Sequence, residues 1–228
     1  MFDTDAYLQE LTDAMKREFG ERLLYVGLQG SYLRGEATES SDLDVMVLVD
    51  RLSVQDLAAY RAIITEMKDY EKSCGFICGR DEFLKWNPLE LCHVQHSTRD
   101  YYGTLSALLP RYEKQDILNF VKLSLGNLYH EICHRYIHAD AACNREAMSM
   151  TYKGVFFILQ NLYYLKTGVF CLTKRELMNM LEENDRRIME TATNIHPDAD
   201  YDFDQVFEQL FVWCQRTMTQ CEQERLFS

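Results

Sequence analysis

Leu8, Leu11, Met15 and Phe19 recur every three or four residues, which predicts an amphipathic helix over residues 4–19 with Gly20 placed to cap it. Residues 23–28 and 43–49 are nearly continuous apolar runs, the pattern of strands buried on both faces. A polar, glycine-containing loop separates the two. Ser53, with Asp56 three residues on, reads as a capping box opening a helix that carries Leu57, Tyr60, Ile63, Ile64 and Met67. Further short strands are expected at residues 74–78 and 91–95.

Beyond Pro110 the period changes to that of helices alone. Apolar stripes run through Ile117, Phe120, Val121, Leu128 and Ile132, and then through Val155, Phe156, Leu159, Leu162 and Tyr163. Gly168 closes one helix, Thr173 with Glu176 caps the next, and Phe203, Val206, Phe207, Leu210, Phe211 and Cys214 line a last one. Residues 194–202 form the most loop-like stretch of this half. The pattern predicts an α/β (α+β) domain over residues 1–110 followed by an all-α helical bundle over residues 111–228.

Composition narrows the class. At 228 residues, 47% of them apolar or aromatic, the chain can bury one large core or two modest ones. The formal charge of −12, from 24 Lys plus Arg against 36 Asp plus Glu, opposes any broad contact with a nucleic-acid backbone. A nucleoside triphosphate stays admissible, since a bound metal and a few local cations can neutralise phosphates inside one cleft. The eight cysteines are scattered through apolar segments and read as reduced core thiols. Neither a secretory leader nor an apolar stretch of about twenty residues is evident, so a soluble cytoplasmic protein is expected, with no membrane contact.

The segment GSYLRGEATESSDLDVMVLVD carries the chemistry. Gly30-Ser31 stands at the expected end of one strand, and Ser41-Asp42-Leu43-Asp44 enters the next. Residues two apart on a strand share a face, so Asp42 and Asp44 should present paired carboxylates while Leu43 and Val45 turn to the core. Such a pair can hold Mg2+, a hard cation that keeps positions open for substrate phosphates. Gly30 allows a backbone to approach a triphosphate, and Ser31 can donate a hydrogen bond to it.

Gly-Ser, a gap of about ten residues and then Asp-x-Asp between apolar residues resembles the signature of the DNA polymerase beta superfamily of nucleotidyltransferases. Arg34-Gly35 within the gap looks like its small bacterial and antibiotic-modifying members. The close match covers residues 24–50. The resemblance implies a small mixed sheet with helices packed on it, metal (Mg2+ or Mn2+) at the catalytic Asp42 and Asp44, and nucleotide contacts from Gly30, Ser31, Arg34 and Ser41. Weaker likeness over residues 74–86 and 151–177 points to relatives whose helical domain supplies a lysine to the phosphates, and nominates Lys153. The implied reaction moves a nucleoside monophosphate from a triphosphate to a hydroxyl of a small molecule or a protein. The alternative is a nucleotide-binding antitoxin or regulatory module, and a homodimer or a protein partner is compatible with either.

Two features stand apart from that pattern. Active members of the superfamily often carry a third carboxylate on a later strand; residues 74–78 hold no acid, leaving Glu90 and Asp100, which flank residues 91–95. His130-Glu131-Ile132-Cys133-His134 matches the zinc-protease pattern His-Glu-x-x-His. The extended version, with Asp140 as third ligand, needs glycine at 137, where Ile137 stands. Histidines 130, 134 and 138 instead predict a half-buried polar seam between bundle helices.

Overall fold

The computed structural model describes residues 2–196 and 199–222. Its backbone divides into two compact units, Met1–Tyr112 and Glu113–Ser228.

The first unit is built on a four-stranded sheet in the order β3-β2-β1-β4. Strands β1 (Leu23–Leu28) and β2 (Leu43–Val49) are antiparallel, β3 (Ser73–Gly79) runs parallel to β2, and β4 (Arg99–Tyr102) pairs antiparallel with β1. The sheet is therefore mixed. One face carries Val26, Leu28, Leu43, Val45 and Val47 against Leu8, Leu11 and Met15 of helix α1 (Thr4–Phe19). The other buries Tyr25, Met46 and Leu48 with Phe83 and Val94. Both faces of β2 are covered, which is why its sequence reads as an unbroken apolar run.

Three departures from the sequence pattern have local causes. Gly30–Arg34 forms a one-turn helix, α2, instead of the start of a loop; Tyr32 and Leu33 tuck against the core beneath it, and Gly35 ends it in the left-handed region. Residues 91–95 lie within a helix, not a strand. After α3 (Val54–Glu66) and the single turn α4 (Arg80–Phe83), α5 spans Pro88–His96, with the Asn87 side chain accepting from Leu89 N and proline in its first turn. His93 and His96 therefore sit on α5, and the fourth strand begins only at Arg99.

The second unit comprises α6 (Lys114–His138), α7 (Ala141–Thr167), α8 (Lys174–Met180), α9 (Glu183–Asn194) and α10 (Phe203–Glu222). Helix α6 packs on α7 and α10, burying Val121, Leu125, Leu128 and Ile132 with Tyr152, Val155, Leu159 and Trp213. The predicted cap at Thr173 is a capping box with Glu176, and Gly168 ends α7 with a φ of 72°. Of the predicted loop, Pro197 and Asp198 lie outside the described residues. Among the described residues no helix is long and apolar enough to cross a membrane.

Helix α3 is pinned to the sheet by one arginine. Arg22, just before β1, donates Nη1 and Nη2 to the two oxygens of Asp56, each at 3.0 Å, and Nε to Asp50 at 3.0 Å. Asp56 also closes the capping box with Ser53. The Arg22 guanidinium, aided by Ser53, holds the Asp56 carboxyl well below the usual carboxylate range. A group depressed on folding contributes stability that is complete above its unfolded pKa of about 3.9 and lost as pH falls toward the folded value. Thermal melts between about pH 4 and pH 2 should therefore show a steeper fall in wild type than in Asp56→Asn; equal slopes would refute the linkage.

Candidate active site

The floor of the site is the start of β2. Leu43 and Val45 are buried, while Asp42 is exposed and Asp44 partly so, placing both carboxylates away from the core around Leu43. The strand begins at Leu43, as the apolar run predicted, so Asp42 is the last residue before it. Among the described residues neither carboxylate has a lysine or arginine partner: the ion pairs of this unit engage Asp5, Glu36, Asp50 and Asp56 instead. Two neighbouring carboxylates without a cation repel each other, and this is an electrostatic arrangement that a bound cation relieves.

Above the floor runs the β1–α2 turn. Gln29 N donates to the carbonyl of Asp44 at 2.9 Å, and Gln29 Nε2 donates to Thr98 Oγ1 at 2.8 Å, so the turn is held from two sides. Gly30 follows with a φ of 69°, and a Cβ on it would run into Oδ2 of Asp44. Only a residue without a side chain lets the backbone lie this close to the carboxylate. The Ser31 hydroxyl has no hydrogen bond among the described residues; the Ser31 carbonyl accepts from Glu36 N at 2.9 Å.

The remaining predicted residues are more committed. Arg34 Nε donates to Glu36 at 2.9 Å. The Ser41 hydroxyl accepts from Thr38 N at 2.8 Å and closes a turn, while Lys72 Nζ donates to Glu39 O at 2.6 Å and ties the loop to the approach to β3. Lys153 belongs to the other unit, exposed on α7, with its Nζ 3.2 Å from Met150 Sδ.

Sequence reasoning missed the neighbour on β3. In the parallel pairing Asp44 stands opposite Cys74, an exposed thiol. Cys74 is thus not the core thiol expected. Partial burial pushes this thiol up, and the charges of Asp44 and Asp42 add to the shift. Strand alternation would have placed it on this face once β2 and β3 were known to be parallel and in register. Gly75, next along, has a φ of 116° and lies so close to Val45 that a Cβ would meet its backbone.

Neither acid weighed as a third carboxylate stands free beside the pair. Asp100 Oδ1 accepts from the buried Tyr25 hydroxyl at 2.7 Å and from Leu105 N at 3.3 Å. Glu90 is exposed on α5. Two carboxylates remain, a set of hard oxygen donors that fits a Mg2+ ion held by one or two protein carboxylates together with substrate phosphates.

Residues 8–84 match the nucleotidyltransferase domain family, a span that takes in β1, the turn, both aspartates and Cys74. No curated protein matches the chain by sequence. Among solved structures, spectinomycin adenyltransferase AAD(9) from Enterococcus faecialis, crystallised with ATP and spectinomycin, has a similar fold, with a TM-score of 0.57 and 14% identity over 96% of this chain and 100% of that one. The stretch that matches a nucleotidyltransferase domain is therefore built around the strand that Asp42 and Asp44 open, within a fold like that of the adenyltransferase.

Proposed function

We propose that the protein transfers a nucleoside monophosphate from a nucleoside triphosphate to a hydroxyl of a small molecule. The observation that carries this reading is the pair Asp42 and Asp44, without a cationic partner among the described residues and overhung by a turn whose Gly30 leaves the Asp44 carboxylate uncovered. The likeness in fold to an enzyme solved with ATP and spectinomycin supports ATP as donor and a compact hydroxylated acceptor.

In the proposed reaction the acceptor oxygen attacks the α-phosphorus as the bond to the β-phosphate breaks, pyrophosphate departs, and the hydroxyl proton leaves to solvent. Asp42 and Asp44 would hold a divalent cation, Mg2+ or Mn2+, which when bound offsets phosphate charge and polarises the α-phosphorus. Gly30 and Ser31 would receive the triphosphate, the first by clearing space and the second by its uncommitted hydroxyl. Arg34, steadied by Glu36, would offer its terminal guanidinium nitrogens, with Ser41 shaping the loop.

A second reading rests on Cys74. A thiol, not an acid, faces Asp44 from β3, and no carboxylate is placed there to take the acceptor's proton. A nucleotide-binding regulatory or antitoxin module with little turnover fits that arrangement.

Labelled triphosphates with Mg2+ and a panel of hydroxyl acceptors separate the two readings. Pyrophosphate release is expected from wild type and should fall by more than about a hundredfold in Asp42→Asn/Asp44→Asn, beyond the loss that follows removal of a mere supporting partner. Tight nucleotide binding with no turnover in wild type would favour the module.

Gly30→Ala tests the turn. The left-handed backbone alone should cost about 1–2 kcal/mol, read from denaturant unfolding. Displacement of the Asp44 carboxylate should lower turnover by up to about a hundredfold. Unchanged turnover in a folded variant would mean that the close approach has no role in the chemistry.

Cys74 supplies an independent readout of location. Saturating Mg2+ and ATP should slow maleimide labelling of Cys74 several-fold relative to Cys143, which is also exposed but lies in the other unit. Equal rates with and without nucleotide would place the binding site elsewhere.

A further inference from the structure

The His-Glu-x-x-His segment does not belong to the site just described, and its geometry is not that of a protease. Glu131, the residue that would serve as base, is ion-paired to Arg135 at 3.0 Å. Nor do His130, His134 and His138 form the half-buried seam the spacing predicted. The buried stripe of α6 runs through Leu125, Leu128 and Ile132, and the histidines fall on the far side, exposed. Among the described residues no hydrogen bond or ion pair engages any of the three imidazoles. They line an open hollow of about 560 Å³ together with Asn127, Glu131 and Arg135.

Their spacing discriminates between the two adjacent pairs. A metal–nitrogen bond of about 2.0–2.1 Å puts an imidazole centroid about 3.2 Å from the ion, so two rings at octahedral or tetrahedral angles stand about 4.5–5.2 Å apart. The His134 and His138 centroids are 4.8 Å apart, within that window; those of His130 and His134, at 6.2 Å, are outside it. No set of three His, Cys, Asp or Glu side chains able to hold a metal occurs among the described residues, so a metal held here would have two imidazole ligands and take the rest of its shell from water. Imidazole donors favour borderline divalent transition metals over Mg2+ or Ca2+. The formal charge of −12 draws cations toward the protein.

We propose that His134 and His138 form a two-histidine site on the exposed face of α6 for a borderline divalent transition metal of the Ni2+, Cu2+ or Zn2+ class. Its identity is independent of the carboxylate pair in the first unit.

Calorimetric titration with Ni2+ tests it in the full chain, with Asp42→Asn/Asp44→Asn as background to remove carboxylate binding and helicity checked by circular dichroism. One Ni2+ site is expected, weakened by more than about tenfold in His134→Ala and in His138→Ala and retained in His130→Ala. Absence of Ni2+ binding in the background protein, equal affinity across the three variants, or dependence on His130 in place of His138 would each overturn the assignment.

Discussion

The tightest constraint on the candidate site of the first unit is the approach of a glycine backbone to a carboxylate. Gly30 lies against Asp44 with no room for a Cβ, and the same turn is fastened to the Asp44 carbonyl through Gln29 N at 2.9 Å. Those two links fix the height of the turn above β2. With a side chain at position 30 the carboxylate would have to swing away or the turn would have to lift, and either separates the turn from the carboxylate. The positive φ and the close approach are thus one constraint expressed twice, in backbone conformation and in space.

Much of this was legible in the sequence because it is written in strongly periodic or continuous patterns. The runs at 23–28 and 43–49 coincide with β1 and β2 since both strands are sandwiched between apolar layers, and α1 occupies the residues its stripe predicted. What was not legible lacks a period. Helix α2 has five residues, too few to display one, and takes its shape from Tyr32 and Leu33 seeking the core. Around α5 the buried Leu91, Cys92 and Val94 imitate a strand, although Asn87 followed by proline is a helix start that could have outweighed them. Strand β4 is four residues long and half exposed, and it is specified by its pairing with β1, a contact between distant parts of the chain.

The candidate site residues divide along the same line. Asp42, Asp44, Gly30 and Ser31 are singled out by their spacing and by the apolar runs that flank them. Cys74 was invisible because its proximity to Asp44 depends on β3 lying parallel to β2 in one particular register, which nothing in residues 73–79 announces. The histidines of α6 show the converse error. Their period was read correctly, but a period says which residues share a face and not which face is buried; the neighbouring Leu125, Leu128 and Ile132 decide that.

The thiol at position 74 bears on how the carboxylate pair works. A carboxylate there would add a third negative charge beside two that already lack a counter-ion, deepening the need for a cation while offering a proton acceptor. A protonated thiol does neither: it is neutral and leaves the local charge at that of two carboxylates. Burial and the neighbouring negative charges both favour the protonated form, so the thiol is a poor base in this setting. In the proposed transfer, the proton lost by an acceptor hydroxyl would then pass to water and not to the group at position 74.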